Sequence, residues 1–279
     1  MVRKVNKKVA LITGAGRGLG WGIARALGNA GFRLCLTDVN QEEMNETANI
    51  IKKDGSEVFT QYLDVRNHKT FCELKDYLVE KWQRIDVLVH AAAVMPMRRF
   101  EETTIDDLWA ELDVNLGGLI NGSKAVWNTM KQQNEGHIIG IASGASFRGH
   151  MDEVMYCTAK HAQEGFVKSL AMEAKKFNIA VNTVGPGKTL KPTSMSLKEA
   201  SKLPLETTSS WTDPSILGDA FVWLLQQGTQ FTGLRFDAGP VVDSINAEGW
   251  EFTFSPEKVT SRPNEFYETL EWQSKVLGG

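Results

Sequence analysis

Tyr156 and Lys160 stand four residues apart in Tyr156-Cys157-Thr158-Ala159-Lys160. On a helix, positions i and i+4 share one face, so a phenol and an ammonium come together. A free phenol titrates at about pH 10, too high for proton transfer near neutrality. A neighbouring ammonium stabilises the phenolate and lowers that value. The spacing therefore suits a general acid–base. Tyr-x-x-x-Lys is also common on solvated helix faces, so its context must decide.

That context begins upstream. The apolar run VALIT (9–13) leads into Thr13-Gly14-Ala15-Gly16-Arg17-Gly18-Leu19-Gly20. Glycines let the chain turn sharply and let backbone N–H groups approach a pyrophosphate, which the positive end of the following helix also favours. A strand before and a helix after is the setting such a loop requires. Asp38 follows 18 residues after Gly20, at the end of the next strand pattern. Its carboxylate can accept hydrogen bonds from both adenosine ribose hydroxyls and repels a 2′-phosphate, which favours NAD over NADP. The competing role for Asp38 is a turn or capping aspartate before Asn40. Arg17 offers some compensation for a phosphate, so cofactor choice stays open.

Alternating elements must position these groups. Strand patterns fall at 9–13, 34–37, 58–63, 85–91, 138–142, 179–184 and 231–237. Helical patterns fall at 19–30, 41–53, 68–82, about 104–132, 152–177 and 214–227. Thr104 and Asp107 offer a capping pattern for the long helix, while Gly117, Gly118 and Gly122 weaken its regularity. Such alternation predicts an α/β fold, a single doubly wound Rossmann domain whose parallel sheet of about seven strands carries helices on both faces.

With the glycine loop upstream, the Tyr156–Lys160 pair resembles the short-chain dehydrogenase/reductase family over residues 9–239. Ser143, 13 residues before Tyr156, and Asn115 in Asp113-Val114-Asn115 complete what looks like that family's Asn-Ser-Tyr-Lys catalytic set. The resemblance implies that Ser143 hydrogen-bonds the substrate oxygen and that Tyr156 exchanges a proton with an alcohol or carbonyl. It implies that Lys160, helped by an oxidised nicotinamide ring, lowers the tyrosine pKa and binds the nicotinamide ribose. Asn115 then holds a water in a proton relay to Lys160. The cofactor residues it implies are Gly14, Gly16, Arg17, Gly18, Leu19, Gly20 and Asp38, with Asp64-Val65 at the adenine. Ala91, Ala92 and Ala93 lie beside the cofactor, and Pro186, Gly187 and Thr189 form the loop flanking the nicotinamide.

The chain departs from the pattern in places. His90-Ala91-Ala92-Ala93 stands where the family often has Asn-Asn-Ala-Gly, so the bracing amides are missing and Ala93 adds a methyl. His90 reads as a partnered histidine at a strand end rather than a catalytic one. Lys191, flanked by Thr189 and Thr193, stands where the family often has threonine. Gly140 either permits close backbone approach or is neutral. Segments 94–99, 144–155 and 188–212 are expected to line the substrate site, with Val94, Met95, Met97, Arg98 and Arg99 from the first. Phe147, Arg148, His150, Met151 and Met155 come from the second, and Lys188, Lys191, Leu203, Leu205 and Trp211 from the third. Arg148 or His150 can orient a carboxylate or hydroxyls, or can be merely solvated. The loop 185–212 is the natural candidate for a lid.

The implied activity is hydride transfer between NAD(H) and a secondary alcohol or ketone as small-molecule substrate. The rival from another class is a catalytically silent NAD(H)-binding redox sensor, which has no need of Ser143, Tyr156 and Lys160. The family's equivalent helices pair subunits, so a homotetramer or dimer is implied.

With 279 residues, 42% apolar and 23% charged, the chain falls in the globular range and outside the disordered or collagen-like classes. A net charge of −3 argues against a nucleic-acid or membrane-surface partner. Cys35, Cys72 and Cys157 are too far apart for a metal or redox motif, and their sparseness suits a reducing cytoplasm. VALIT is too short for a signal core of about 7–15 residues, and no run approaches the ~20 apolar residues of a membrane span. The domain is expected to end near Gly239. Residues 240–279 hold Trp250, Phe252, Phe254, Phe266, Tyr267 and Trp272, a density that disordered tails lack. They are expected to form an ordered extension packing on the domain or on a neighbouring subunit, with Asn264 capping a final helix.

Overall fold

Strand β1 (Val9–Thr13) is buried at every position. Its side chains alternate between two cores, because successive residues of a strand point to opposite faces. Ala10 and Ile12 join Leu34 and Leu36 in one core, while Val9 and Leu11 join Cys35 in the other. A sheet covered on both faces follows, and it explains why these runs show no polar alternation. The computed structural model describes residues 8–191, 195 and 202–277.

The other strands are β2 (Arg33–Asp38), β3 (Val58–Tyr62), β4 (Val87–His90), β5 (Gly136–Ile141), β6 (Ile179–Gly185) and β7 (Arg235–Asp237). All neighbours pair in parallel, in the order β3-β2-β1-β4-β5-β6-β7. Helices α1 (Gly18–Asn29), α7 (Pro214–Gln226) and α8 (Ala238–Glu248) cover one face with Leu27, Phe221 and Val241. Helices α3 (His68–Trp82), α5 (Gly118–Gln133) and α6 (Val154–Ala174) cover the other with Phe71, Val126 and Val167. Helix α2 (Gln41–Lys53) flanks β2 and is capped by the Asn40 side chain. The order reverses between β1 and β4, and the strand ends there open a crevice.

Two elements bear on the sequence expectation. The long helix expected over 104–132 runs unbroken from Ile105 to Gln133, with the irregularity that its glycines signalled. Helix α4 (Ile105–Leu112) starts with a capping box between Thr104 and Asp107, and a π-helical turn at Asp113–Gly117 joins it to α5. The last strand is shorter than 231–237. The Thr232 hydroxyl accepts from the Val181 N–H at 3.0 Å and Gly233 takes φ +72°, which breaks the extended run before β7.

Residue 239 lies in the first turn of α8, so the chain continues past it without a break. Beyond α8, Phe252 stacks on Trp223 with ring centroids 5.0 Å apart. Phe254 stacks on Phe231 at 4.7 Å, and Phe266 meets Phe236 edge-on at 5.4 Å. The final helix α9 (Pro263–Leu277) contains Asn264 instead of being capped by it. Tyr267 and Trp272 remain exposed. Phe266, 3% exposed, joins the α1 side of the core. Truncating a well-packed phenylalanine costs about 3–5 kcal/mol. Phe266→Ala should lower unfolding stability by that amount in urea titrations, and an unchanged midpoint would show that the extension does not hold the core.

Candidate active site

A cavity of about 640 Å³ opens where the strand order reverses. Gly14, Arg17, Gly18, Leu19, Gly20, Asp38, Asp64, Val65, Ala91, Ala92 and Ala93 line one end. Ser143, Tyr156, Lys160 and Pro186 line the other. Four residues expected at the site, Gly16, Asn115, Gly187 and Thr189, do not border it and act behind its wall. Gly16 donates its N–H to Asp38 Oδ2 at 2.9 Å. Gly187, at φ +62°, packs against Pro240, and the Thr189 carbonyl accepts from Thr212 N–H at 2.8 Å.

The glycine loop is shaped by backbone contacts. A Cβ on Gly14, itself at φ +63°, would fall 2.6 Å from Ala92 Cα, and one on Gly20 would fall 2.0 Å from the Gly14 carbonyl oxygen. Side chains there would force the β1 and β4 loops apart. Asp38 stands at the rim, with Oδ1 accepting from the Asn40 N–H at 3.0 Å. The Arg17 guanidinium lies 3.6 Å from Glu43. Asp64 is gripped by Arg66 at 2.6 Å, which holds its carboxyl below the usual carboxylate range.

His90 does the bracing that asparagines were expected to do. Thr13 Oγ1 accepts from the Ala92 N–H at 3.2 Å and lies 3.0 Å from His90 Nδ1. His90 Nε2 lies 3.2 Å from the Val114 carbonyl. A carbonyl can only accept, so Nε2 carries the proton and Nδ1 accepts from the threonine. Burial pushes the imidazole down to about 3, with the Lys160 charge adding to it. The histidine is neutral and structural.

Tyr156 and Lys160 lie across the crevice. Tyr156, 9% exposed, lines the cavity together with Ser143. Ser143 ends β5 and starts a short 3-10 turn, where its Oγ accepts from the Ala145 N–H at 3.2 Å. Lys160 Nζ lies 5.4 Å from the centre of the Tyr156 ring and donates to the Ile141 carbonyl at 2.7 Å. Burial lowers the ammonium to about 8, against support from Glu164. Burial first, and then the Glu153 and Glu111 charges among others, hold the phenol above its ordinary range against the lowering influence of the Ser143 hydroxyl. The lowered phenol pKa expected from the spacing is therefore absent from these protein contacts alone.

Asn115 sits in the π turn and is fully buried. Its side chain clamps the Val94 backbone, with Nδ2 donating to the carbonyl at 2.8 Å and Oδ1 accepting from the N–H at 3.1 Å. A π turn displaces carbonyls from their helical partners. The Asn115 carbonyl accepts from Gln163 Nε2 at 2.5 Å, and Gln163 Oε1 accepts from Lys160 Nζ at 3.4 Å. A direct connection from Asn115 to Lys160 thus runs through the Gln163 side-chain amide.

The substrate side is only partly as expected. Val94, Pro96 and Arg98 line it, as do Leu190 and Lys191, but nothing from 144–155 does. Phe147 lies instead between the guanidiniums of Arg235 and Arg262, at 4.9 and 4.5 Å. Met95 packs on Tyr156 and Cys157, Lys188 pairs with Asp243, and Leu205 is exposed. Thr193 and part of the expected lid, residues 192–194 and 196–201, lie outside the described residues. The wall that sequence reasoning missed is α4, which contributes Asp107, Leu108, Ala110 and Glu111. Its signal was the four-residue spacing of Glu111 and Asn115, which shares a helix face.

A model of the short chain dehydrogenase family matches residues 8–202. The chain belongs to the short-chain dehydrogenase/reductase family. It is 30% identical to an acetoacetyl-CoA reductase of an Acinetobacter species, over 81% of this chain and 94% of that one. Among solved structures, an NAD+-bound xylitol dehydrogenase superposes with a TM-score of 0.74 at 25% identity, covering 83% of this chain and 97% of that one. A metagenomic short-chain oxidoreductase in complex with NADP gives a TM-score of 0.71 at 25% identity, covering 82% and 95%. No helix among the described residues is long and apolar enough to cross a membrane.

His90 tests the bracing network. Its folded value lies below the ordinary 6.5, so the unfolded chain takes up the proton first as pH falls. That contribution to stability is complete above about pH 6.5 and is lost on the way down to about 3. His90→Asn should be less stable at pH 7, by about 1–3 kcal/mol for the lost partners. It should also lose less stability than the wild type between pH 7 and 4.5, as read from urea midpoints. Parallel acid curves would refute the buried neutral histidine.

Proposed function

We propose that this family member is an NAD(H)-dependent oxidoreductase that moves a hydride between nicotinamide and a secondary alcohol or ketone, with Tyr156 as general acid–base. The observation that carries the reading is that Ser143, Tyr156 and Lys160 line the same cavity as the glycine loop. The loop suits a dinucleotide. Gly14 and Gly20 leave no room for side chains, and a Cβ on Gly18 would meet no described atom within 4 Å, so that position opens outward as a cradle. Gly14 to Gly20 would hold the pyrophosphate, Asp38 the adenosine ribose, Asp64-Val65 the adenine, and Lys160 the nicotinamide ribose. When bound, the dinucleotide supplies or accepts the hydride.

The protein's own part is proton handling and orientation. Ser143 Oγ donates to the substrate oxygen and holds it against the phenol. In oxidation, Tyr156 as phenolate takes the hydroxyl proton as the carbinol C–H hydride departs. In reduction, the phenol gives that proton to the carbonyl oxygen. The Lys160 ammonium, kept in place by Ile141 and Gln163, stabilises the phenolate, and the positive charge of an oxidised nicotinamide adds to it. Asp38 and Glu43 place two carboxylates at the ribose end, and Glu43 engages Arg17. Both features favour NAD over NADP.

Tyr156→Phe should cut turnover at least 10³-fold while leaving NADH affinity within about twofold. NADH binding by the wild type with no turnover on any secondary alcohol or ketone would favour the redox-sensor reading. The ratio of kcat/KM for NAD to that for NADP should exceed ten, and Asp38→Ala should reduce it. An NADP preference in the wild type would overturn the assignment of Asp38.

A further inference from the structure

Glu111 sits in the last turn of α4, on the cavity wall that also carries Tyr156. It is 9% exposed, and its carboxylate forms no hydrogen bond to any described residue. The side chain is largely buried, but the carboxylate oxygens keep access to the space a substrate would fill. Its charged surroundings come from each element around it. Asp107 lies one turn earlier on α4, Arg98 comes from the segment after β4, and Glu153 and Tyr156 come from the start of α6. Lys191 lines the opposite loop. Arg98, the nearest candidate counter-ion, is drawn to Asp107 at 3.8 Å and is half exposed. The Glu111 and Glu153 charges both reach Tyr156.

We propose that Glu111 determines substrate specificity, accepting a hydrogen bond from a hydroxyl or ammonium group carried a few bonds from the reacting carbinol. This rests on the oxidoreductase reading for the position of the carbinol. The bound group supplies the donor that no described residue gives. The same negative surroundings disfavour substrates whose neighbouring substituent is a carboxylate or phosphate. Burial, reinforced by Glu153, lifts the Glu111 carboxyl to about 7 against the pull of Arg98. A protonated carboxyl still accepts from a hydroxyl through its carbonyl oxygen, but only the anion attracts an ammonium. The two donor types therefore separate by pH.

The test uses matched alcohols that differ only at the neighbouring carbon: butan-2-ol, butane-2,3-diol and 3-aminobutan-2-ol. Affinity for the protein–NADH complex is read by NADH fluorescence, and kcat/KM is read with NAD. The diol or the amino alcohol should bind at least tenfold more tightly than the mono-ol at pH 8. Glu111→Leu should erase that preference while NADH affinity and thermal stability hold or rise, because a largely buried charge is removed. Glu111→Gln should keep a diol preference and lose an amino-alcohol preference. A preference for the amino alcohol should grow about tenfold from pH 6 to 8, and one for the diol should change little. Equal binding of all three alcohols, or a preference that survives Glu111→Leu, would overturn the proposal. Glu111-dependent binding without turnover would support it and refute the oxidoreductase reading instead. Failure to bind NADH would remove the cavity assignment and this proposal together.

Discussion

A lysine ammonium buried to 2% exposure is the constraint around which the site is built. A charge removed from water must find acceptors or give up its proton. Lys160 finds the Ile141 carbonyl at the end of β5 and the Gln163 side chain one turn along its own helix. Gln163 is then fixed by the Asn115 carbonyl, which the π turn makes available. A strand end, a helix and an irregular turn are thus locked together by one cation. Tyr156 shares the face of α6 with Lys160 and takes its position from the same lock.

A second layer of charge supports the first. Glu164 lies next to Gln163 and helps keep Lys160 ionised. Its Oε1 accepts from Arg235 at 3.1 Å and its Oε2 from the Thr183 hydroxyl at 2.9 Å. Arg235 also pairs with Asp237 at 3.2 Å, and Asp237 accepts from both the N–H and the hydroxyl of Ser261. The chain beyond α8 is therefore tied through β7 to the helix that carries Tyr156 and Lys160. The aromatic stack of Phe252, Phe254 and Phe266 anchors that segment to the core, so the ionic connection rests on packed side chains.

Legibility followed the range of the interactions. Helices α2 and α3 matched their patterns because Asn40 and Asn67 cap them locally and Met44, Ile51, Phe71 and Leu78 recur at helical spacing. The long helix was legible, but the π turn inside it was signalled only by its glycines, and the Asn115 carbonyl there meets a glutamine 48 residues away. The β7 boundary was misread because Thr232 bonds to Val181, a partner with no local signature. Phe147 was expected in the pocket by its proximity to Tyr156 in the chain, but two arginines from β7 and the final segment claim its ring.

The sequence by itself determined the sheet, the glycine loop and the placing of Tyr156 and Lys160 on one helix face, because each depends on periodicity, turn chemistry or spacing within one element. The tertiary structure alone decided that His90 replaces the bracing amides, that Gln163 joins Asn115 to Lys160, and that α4 supplies a carboxylate to the cavity. Those features are pairings between residues distant in the chain. Their free energies depend on burial and on which acceptors lie within reach, and neither is set until the strands are in order.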